Sequence, residues 1–148
     1  MKITVSCWIG MMLLVSGVAA TAFADPFAAV VKRSSGGAVI HRNGKNLAAE
    51  IGTAVMPADT IQTDSRGSLG LVFSDDTRIS IGPNTQIAID DYFFMPKDSK
   101  LSFVLRVIQG TVSFLSGQIA KLAPDSVELN VPDATIGVRG THVLIKVD

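Results

Sequence analysis

The chain has 148 residues, which is enough for one domain with a modest hydrophobic core. Its 13 lysines and arginines balance 13 aspartates and glutamates, so the basic surplus that is typical of nucleic-acid-binding proteins is absent. The basic residues are scattered singly, which also argues against binding to an anionic membrane surface.

Residues 1–24 have the layout of a secretory signal peptide. Lys2 is the only charged residue before Asp25, and the stretch between them is largely apolar. Ala22 and Ala24 are the small residues expected at the −3 and −1 positions of a cleavage site. A retained membrane anchor is the alternative, because the uncharged stretch is near the minimum spanning length. We expect cleavage after Ala24, which leaves residues 25–148 as a single domain.

Disulfide bonds are not expected to stabilise this domain. The only cysteine, Cys7, lies within the predicted signal peptide. The secreted chain would therefore contain no cysteine, although an oxidising compartment would allow a disulfide. Its stability must come from packing.

The first half of the domain shows apolar and polar residues alternating over short runs, which is typical of β-strands. Asn43-Gly44 predicts a tight hairpin within AVIHRNGKNL, because both residues tolerate positive φ. The runs DTIQT and SLGLVF predict two further strands. The segment TRISIGPNTQIAI predicts two more, separated by a turn at Gly82-Pro83-Asn84.

The second half continues the pattern. DYFFMPKDSK is interpreted as a connection, and LSFVLRVIQGTVSFLSG as a second hairpin that turns at Gln109-Gly110. SVELNVP and ATIGVRGTHVLIKV predict the closing strands. The many short strands predict an all-β fold, either a compact antiparallel β-roll with solenoid-like stacked turns or a sandwich.

The closing segment changes its apolar phase at Arg139-Gly140. Apolar residues fall on even positions up to Val138 and on odd positions from Val143. Because strand side chains alternate with period two, this shift predicts a β-bulge or a corner at Arg139-Gly140-Thr141. The arginine would then be fastened to acceptors such as Asp133, Asp59 or Asp64. Contact of Arg139 with a ligand is the alternative.

The run VPDATIGVRGTHV resembles the closing motif of the FecR protein domain family, in which an A-T-x-G-V-R-G-T segment leads into an apolar strand. The upstream D-T-I-Q-T segment, the acidic turn and the segment VLRVIQGTVSFLSG are also similar to that family, over roughly Gly37 to Val147. Two positions depart from the usual pattern, Ala58-Asp59 and Asp75-Asp76-Thr77. The positions that the resemblance marks as family-motif or structural residues are Asp59, Thr63, Asp76, Gly110, Pro132, Gly137, Arg139, Gly140 and Thr141.

The resemblance implies a free-standing periplasmic domain that binds another envelope or membrane signalling protein. The best-known members of the family are sigma-factor regulators with a cytoplasmic helical domain and a membrane helix ahead of this domain. Only the predicted signal peptide precedes it here. We therefore expect no direct contact with a sigma factor.

Catalytic, metal and cofactor sites are not predicted. His41 and His142 lack a second metal-type ligand at close spacing. The acidic pairs Asp75-Asp76 and Asp90-Asp91 are interpreted as turn residues. The aromatic run Tyr92-Phe93-Phe94 is either part of the core or a partner surface.

The sequence is compatible with two functions. The first is a non-catalytic interaction and sensory module of envelope signalling, in which an edge strand accepts a partner strand. The alternative is a periplasmic binding protein for a carbohydrate or small ligand, with Arg139 or the aromatic run in the site.

Overall fold

The computed structural model describes residues 27–140 and 142–148 of the chain. The predicted signal peptide with its cleavage site after Ala24, and the motif residue Thr141, lie outside these described residues. Within them, the twelve strands are β1 (Ala29–Ser35), β2 (Ala38–Arg42), β3 (Lys45–Ala48), β4 (Ala54–Val55), β5 (Thr60–Thr63), β6 (Ser68–Phe73), β7 (Arg78–Ile81), β8 (Gln86–Met95), β9 (Lys100–Leu115), β10 (Val127–Val131), β11 (Ala134–Gly137) and β12 (His142–Val147). The helical segments are α1 (Gln118–Leu122) and two 3₁₀ turns (Pro96–Asp98 and Pro124–Ser126). None of the helices in the described part is long and apolar enough to cross a membrane.

Strand β9 joins two layers of one curled sheet. Its first half lies between β8, which is antiparallel to it, and β10, which is parallel. Its second half lies between β7 and β12, both antiparallel to it. One layer therefore has the order β3-β2-β5-β8-β9-β10-β11 and the other β4-β1-β6-β7-β9-β12. The predicted all-β class is confirmed, and the continuous curled sheet has the form of a β-roll.

The core lies between the two layers. Phe73 of β6 comes from one layer, and its ring centroid is 4.7 Å from that of Phe103 in the other. Tyr92 and Phe114 complete this aromatic cluster. The predicted inward alternation is confirmed, since these isoleucines are all buried: Ile79, Ile81, Ile87 and Ile89.

The predicted hairpin at Asn43-Gly44 is confirmed, but the one at Gln109-Gly110 is wrong. Asn43 and Gly44 have φ of 49° and 75° and connect the paired strands β2 and β3. Gly110 also has a positive φ, 98°, yet the chain continues through it as one strand of 16 residues. The glycine allows β9 to pass from one layer to the other instead of reversing its direction.

The interpretation of DYFFMPKDSK as a connection is wrong for its first half. Strand β8 continues to Met95, and only residues 96–99 leave the sheet before β9 begins at Lys100. The turn interpretation of Asp90-Asp91 is therefore wrong as well. Asp90 lies at a shift in the β8–β9 register and forms an ion pair with Arg106, in which the nitrogen and oxygen atoms are 3.1 Å apart. The carboxylate of Asp91 accepts a hydrogen bond of 2.8 Å from the Ser102 hydroxyl.

The described residues Arg139 and Gly140 lie at a corner, one of the two predicted forms, and not in a β-bulge. Strand β11 pairs with β10 in one layer, whereas β12 pairs with β9 in the other. Residues 138–140 are the described part of the crossing between them. The apolar phase changes because the two strands belong to opposite layers, each with its own inward face.

Candidate functional site

The acidic turn after β6 is organised by Asp75, not by the motif residue Asp76. The Asp75 side chain is buried, and its two oxygens accept hydrogen bonds from the Thr77 hydroxyl (2.7 Å), the Tyr92 hydroxyl (3.1 Å) and the Ile119 amide (3.1 Å). Asp76 is exposed, has a φ of 68° and accepts a hydrogen bond from the Gln118 side chain. The turn therefore holds the first residues of α1 in place.

Residues around Gly117 close the same junction. The Gly117 amide donates to the Thr77 hydroxyl at 3.1 Å, and the Gln118 amide donates to the Asp75 carbonyl at 2.8 Å. A Cβ atom on Gly117 would lie 2.4 Å from that carbonyl oxygen, so a side chain does not fit there. Sequence analysis identified Asp75 only as a turn residue. The available signal was Thr77 two positions later, a spacing at which side-chain hydrogen bonds stabilise turns.

Tyr92 is a core residue with a polar end and not part of a partner surface. Its hydroxyl donates to the Asp75 carboxylate and accepts from the Asp75 amide at 3.0 Å. Burial, and then the negative charge of Asp75, raise the pKa of Tyr92 well above its ordinary value. The folded protein therefore holds the neutral phenol more strongly than the unfolded chain does.

We expect Tyr92 to make the protein less stable in strong alkali. The unfolded chain loses the phenolic proton at a pH of about 10, while the folded protein retains it, so the stabilisation is complete below that pH and is lost as the pH rises above it. Tyr92 is the only tyrosine in the chain, so phenolate absorbance reports on it alone. That absorbance should rise together with loss of β-structure by circular dichroism. Tyr92→Phe is the control and should lack this alkaline transition; phenolate formation in the folded protein near the ordinary pKa would contradict the buried contact.

Two further motif positions are structural. Asp59 is buried and accepts hydrogen bonds from Arg42 Nε (2.9 Å), a terminal nitrogen of Arg42 (2.7 Å) and the Met56 amide (2.8 Å). The Thr63 hydroxyl donates to the Gly82 carbonyl at 2.7 Å and accepts from the Thr85 amide at 3.0 Å. These contacts fasten turns to neighbouring strands.

The closing motif forms one wall of a groove. Pro132 is in the exposed turn between β10 and β11, and Gly137 ends β11 in an exposed position. Beyond them, Arg139 and Gly140 face α1 and the turn that follows it, across a cavity of about 470 Å³. The groove is lined by Ser116, Ala120, Lys121, Pro124, Asp125, Val138, Arg139 and Gly140. A hydrogen bond of 2.9 Å from the Ser116 hydroxyl to the Gly140 carbonyl joins its two walls.

Arg139 is exposed, and the expectation that it fastens a bulge is wrong. Its guanidinium forms no hydrogen bond or ion pair with any other residue that the structure describes. Asp133, one of its expected partners, is exposed in the turn between β10 and β11. Asp59 pairs with Arg42, and Asp64 accepts from the backbone amides of Gly37 and Arg66. Contact of Arg139 with a ligand or partner stays a prediction.

Strand β12 offers an open sheet edge. One side of it pairs with β9 along its full length, and no other described strand pairs with it. Val143, Ile145 and Val147 point inward, whereas Leu144 points outward and is 71% exposed. Strands β3, β4 and β11 also lie at edges of the sheet, but each has four residues or fewer.

The remaining aromatic residues of the run lie at the end of β8. Phe93 is 47% exposed, and Phe94 is half-buried against the core. Phe93 and Phe94 border a cavity of only about 100 Å³ together with Phe27 and Met95. This volume is small compared with ordinary ligand pockets, whereas a second cavity beside Phe93, of about 360 Å³, falls within their range.

The histidines contact polar side chains. His41 lies 2.6 Å from Asn46 Oδ1, and His142 lies 2.8 Å from the Ser113 hydroxyl. Within residues 27–140 and 142–148, no group of three or more histidine, cysteine or acidic side chains is arranged to hold a metal ion.

Comparison with known proteins adds one finding. The family model described as FecR protein matches residues 59–148, which include the acidic turn, all of β9 and the closing motif. No curated protein and no solved structure matches the chain.

Proposed function

Because the chain belongs to the FecR protein family, we propose that it is a non-catalytic interaction and sensory module that acts through protein–protein contacts at the cell envelope. The family as a whole takes part in regulatory signalling at the envelope. The partner is another envelope or membrane signalling protein, bound without a cofactor. The layout of residues 1–24 supports periplasmic localisation after cleavage behind Ala24.

The open edge of β12 is the observation that carries this proposal. Unpaired N–H and C=O groups along a sheet edge can pair with an extended segment of another protein, and side-chain pockets then provide specificity. On the outer face of the sheet, Leu144 lies opposite Ser113, and the half-exposed Leu115 is two residues further along β9. The two leucines are diagonal neighbours and offer an apolar contact beside the open edge.

A photo-crosslinking residue placed at position 144 tests this proposal in intact cells. Ile51 is the matched control, because it is 68% exposed but lies in a turn. We expect position 144, and not position 51, to crosslink to one discrete envelope protein. Leu144→Lys should reduce capture of that protein at least about tenfold, as expected for loss of a central apolar contact, whereas Ile51→Lys should not.

Equal crosslinking from both positions would contradict the proposal, as would retention of capture by Leu144→Lys. The same preparation provides the intact mass of the protein. An intact mass equal to that of a chain beginning at Asp25 supports the periplasmic assignment. A full-length protein in the membrane fraction supports the retained anchor.

A second candidate function is binding of a carbohydrate or small ligand. The groove beside Arg139 favours it, since a cavity of about 470 Å³ falls within the range of ordinary ligand sites. A melting temperature that rises with envelope saccharides, with no partner protein present, would favour this function over the first.

A further inference from the structure

We propose that the groove beside Arg139 receives a carboxylate from the same peptide segment that adds to the edge of β12. This inference rests on the proposed function, and it specifies the chemistry of the partner. The segment would be extended along β12 and carry the carboxylate just beyond the paired residues.

The groove lies next to the open edge of β12. His142, the first residue of β12, pairs with Leu115, the last residue of β9. Ser116 and Gly140 lie just beyond this pair and are joined by the hydrogen bond between the groove walls. The groove therefore continues from the end of the β9–β12 ladder. Arg139 is three residues before His142, a span of at most about 10 Å for an extended chain.

Charge indicates what the groove accepts. Arg139 and Lys121 both line it and are both exposed, and Asp125 is the acidic residue among the lining residues that the structure describes. The Arg139 guanidinium has no carboxylate partner among the described residues, so its planar set of donors is available for bidentate binding of a carboxylate. The apolar part of the lining, Ala120, Pro124 and Val138, excludes water from one side of such a contact.

Strand direction predicts where the carboxylate lies in the partner segment. Every pairing in the layer that contains β12 is antiparallel. A strand added antiparallel to β12 would end beside His142 and the groove. The carboxylate would therefore follow the paired residues at the C-terminal end of the segment, either as an aspartate or glutamate side chain or as the terminal carboxylate of the chain.

Selection from two libraries of randomised eight-residue peptides tests this inference. One library is displayed through the peptide N-terminus, which leaves the terminal carboxylate accessible, and the other through the C-terminus, which blocks it. The protein is purified from cells that express the full sequence. Acidic residues near the C-terminal end in both libraries indicate a side-chain carboxylate, whereas binding from the first library alone indicates the terminal one.

Substitutions then separate the groove from the edge. For the selected peptides, we expect Arg139→Gln to weaken binding at least about tenfold, the loss typical of one charged hydrogen-bonded contact. Arg66→Gln is the matched control, because it removes the same charge from an exposed turn elsewhere. The melting temperature should not change in either variant. Binding to the wild type should also weaken as the salt concentration rises.

Each result has a defined meaning. Peptides that lose affinity with Leu144→Lys but not with Arg139→Gln would overturn the groove inference and leave the edge function intact. Peptides that lose affinity with Arg139→Gln but not with Leu144→Lys would overturn the connection between groove and edge. Failure of both libraries to yield a binding peptide would overturn the groove inference and count against strand addition itself. Loss of affinity with both variants, together with selected carboxylates, supports the inference.

Discussion

Replacing Gly110 with alanine is expected to destabilise the protein by about 2–6 kcal/mol, since backbone strain and overpacking each cost about 1–3 kcal/mol. Gly110 has a φ of 98°, a conformation that residues with a side chain rarely adopt. A Cβ atom there would also lie 2.2 Å from the Thr85 hydroxyl oxygen and 2.5 Å from its Cα atom. Urea denaturation followed by circular dichroism measures the change.

The cost is high because the layers are joined at this position. The Thr85 hydroxyl accepts a hydrogen bond from the Thr111 amide at 3.1 Å, and the Thr85 amide donates to Thr63. A displaced Thr85 would disturb both contacts, and Thr63 and Thr85 are themselves buried.

Gly140→Ala is the matched control for this prediction. A Cβ atom on Gly140 would meet nothing within 4 Å, and its φ lies outside the left-handed region. We therefore expect a change within about 0.5 kcal/mol, as for ordinary surface substitutions. Equal effects of the two substitutions would contradict the difference that the structure shows between the bend in β9 and the crossing before β12.

Asp75→Asn is expected to cost about 1–6 kcal/mol, because one or two buried donors lose their acceptor at about 1–3 kcal/mol each. Asp75 accepts hydrogen bonds at both carboxylate oxygens, from Thr77 and Ile119 at one and from Tyr92 at the other. An asparagine replaces one of these oxygens with an NH₂ group, which cannot accept a hydrogen bond from the Ile119 amide in one orientation or from the Tyr92 hydroxyl in the other. Thermal and chemical denaturation both report the loss.

Asp76→Asn is the same chemical change at the next residue. Asp76 is exposed, and asparagine tolerates its positive φ, so we expect a change within about 0.5 kcal/mol. A larger effect at Asp76 than at Asp75 would show that the wrong carboxylate has been assigned to the turn.

These two predictions concern opposite ends of β7. The Asp75 turn precedes β7 and holds α1, which lines the groove, whereas the Thr63–Thr85–Gly110 contacts follow it at the far end. Asp75→Asn should therefore also weaken binding of the selected peptides, because the position of Lys121 on α1 depends on that turn.

Local patterns in the sequence determined the strands and their inward faces. Alternation with period two is a property of each strand by itself, so Ile79 and Ile87 could be assigned to the core without knowledge of their partners. The Asn43-Gly44 hairpin follows from backbone conformations that only a few residues tolerate. The closing motif likewise indicated the family from the sequence alone.

Only the tertiary structure decided how those strands are combined. Glycine adopts a positive φ both in hairpin turns and at bends within strands, so Gly110 alone could not distinguish a reversal from the passage of β9 between layers. The phase shift at Arg139 has two local explanations, a bulge or a change of layer, and the pairing of β12 with β9 selects the second. Which carboxylate is buried, Asp75 or Asp76, depends on Tyr92 and Ile119, which are distant in sequence. Strand pairing and polar burial are set by contacts between distant segments, and the alternation within one segment does not encode them.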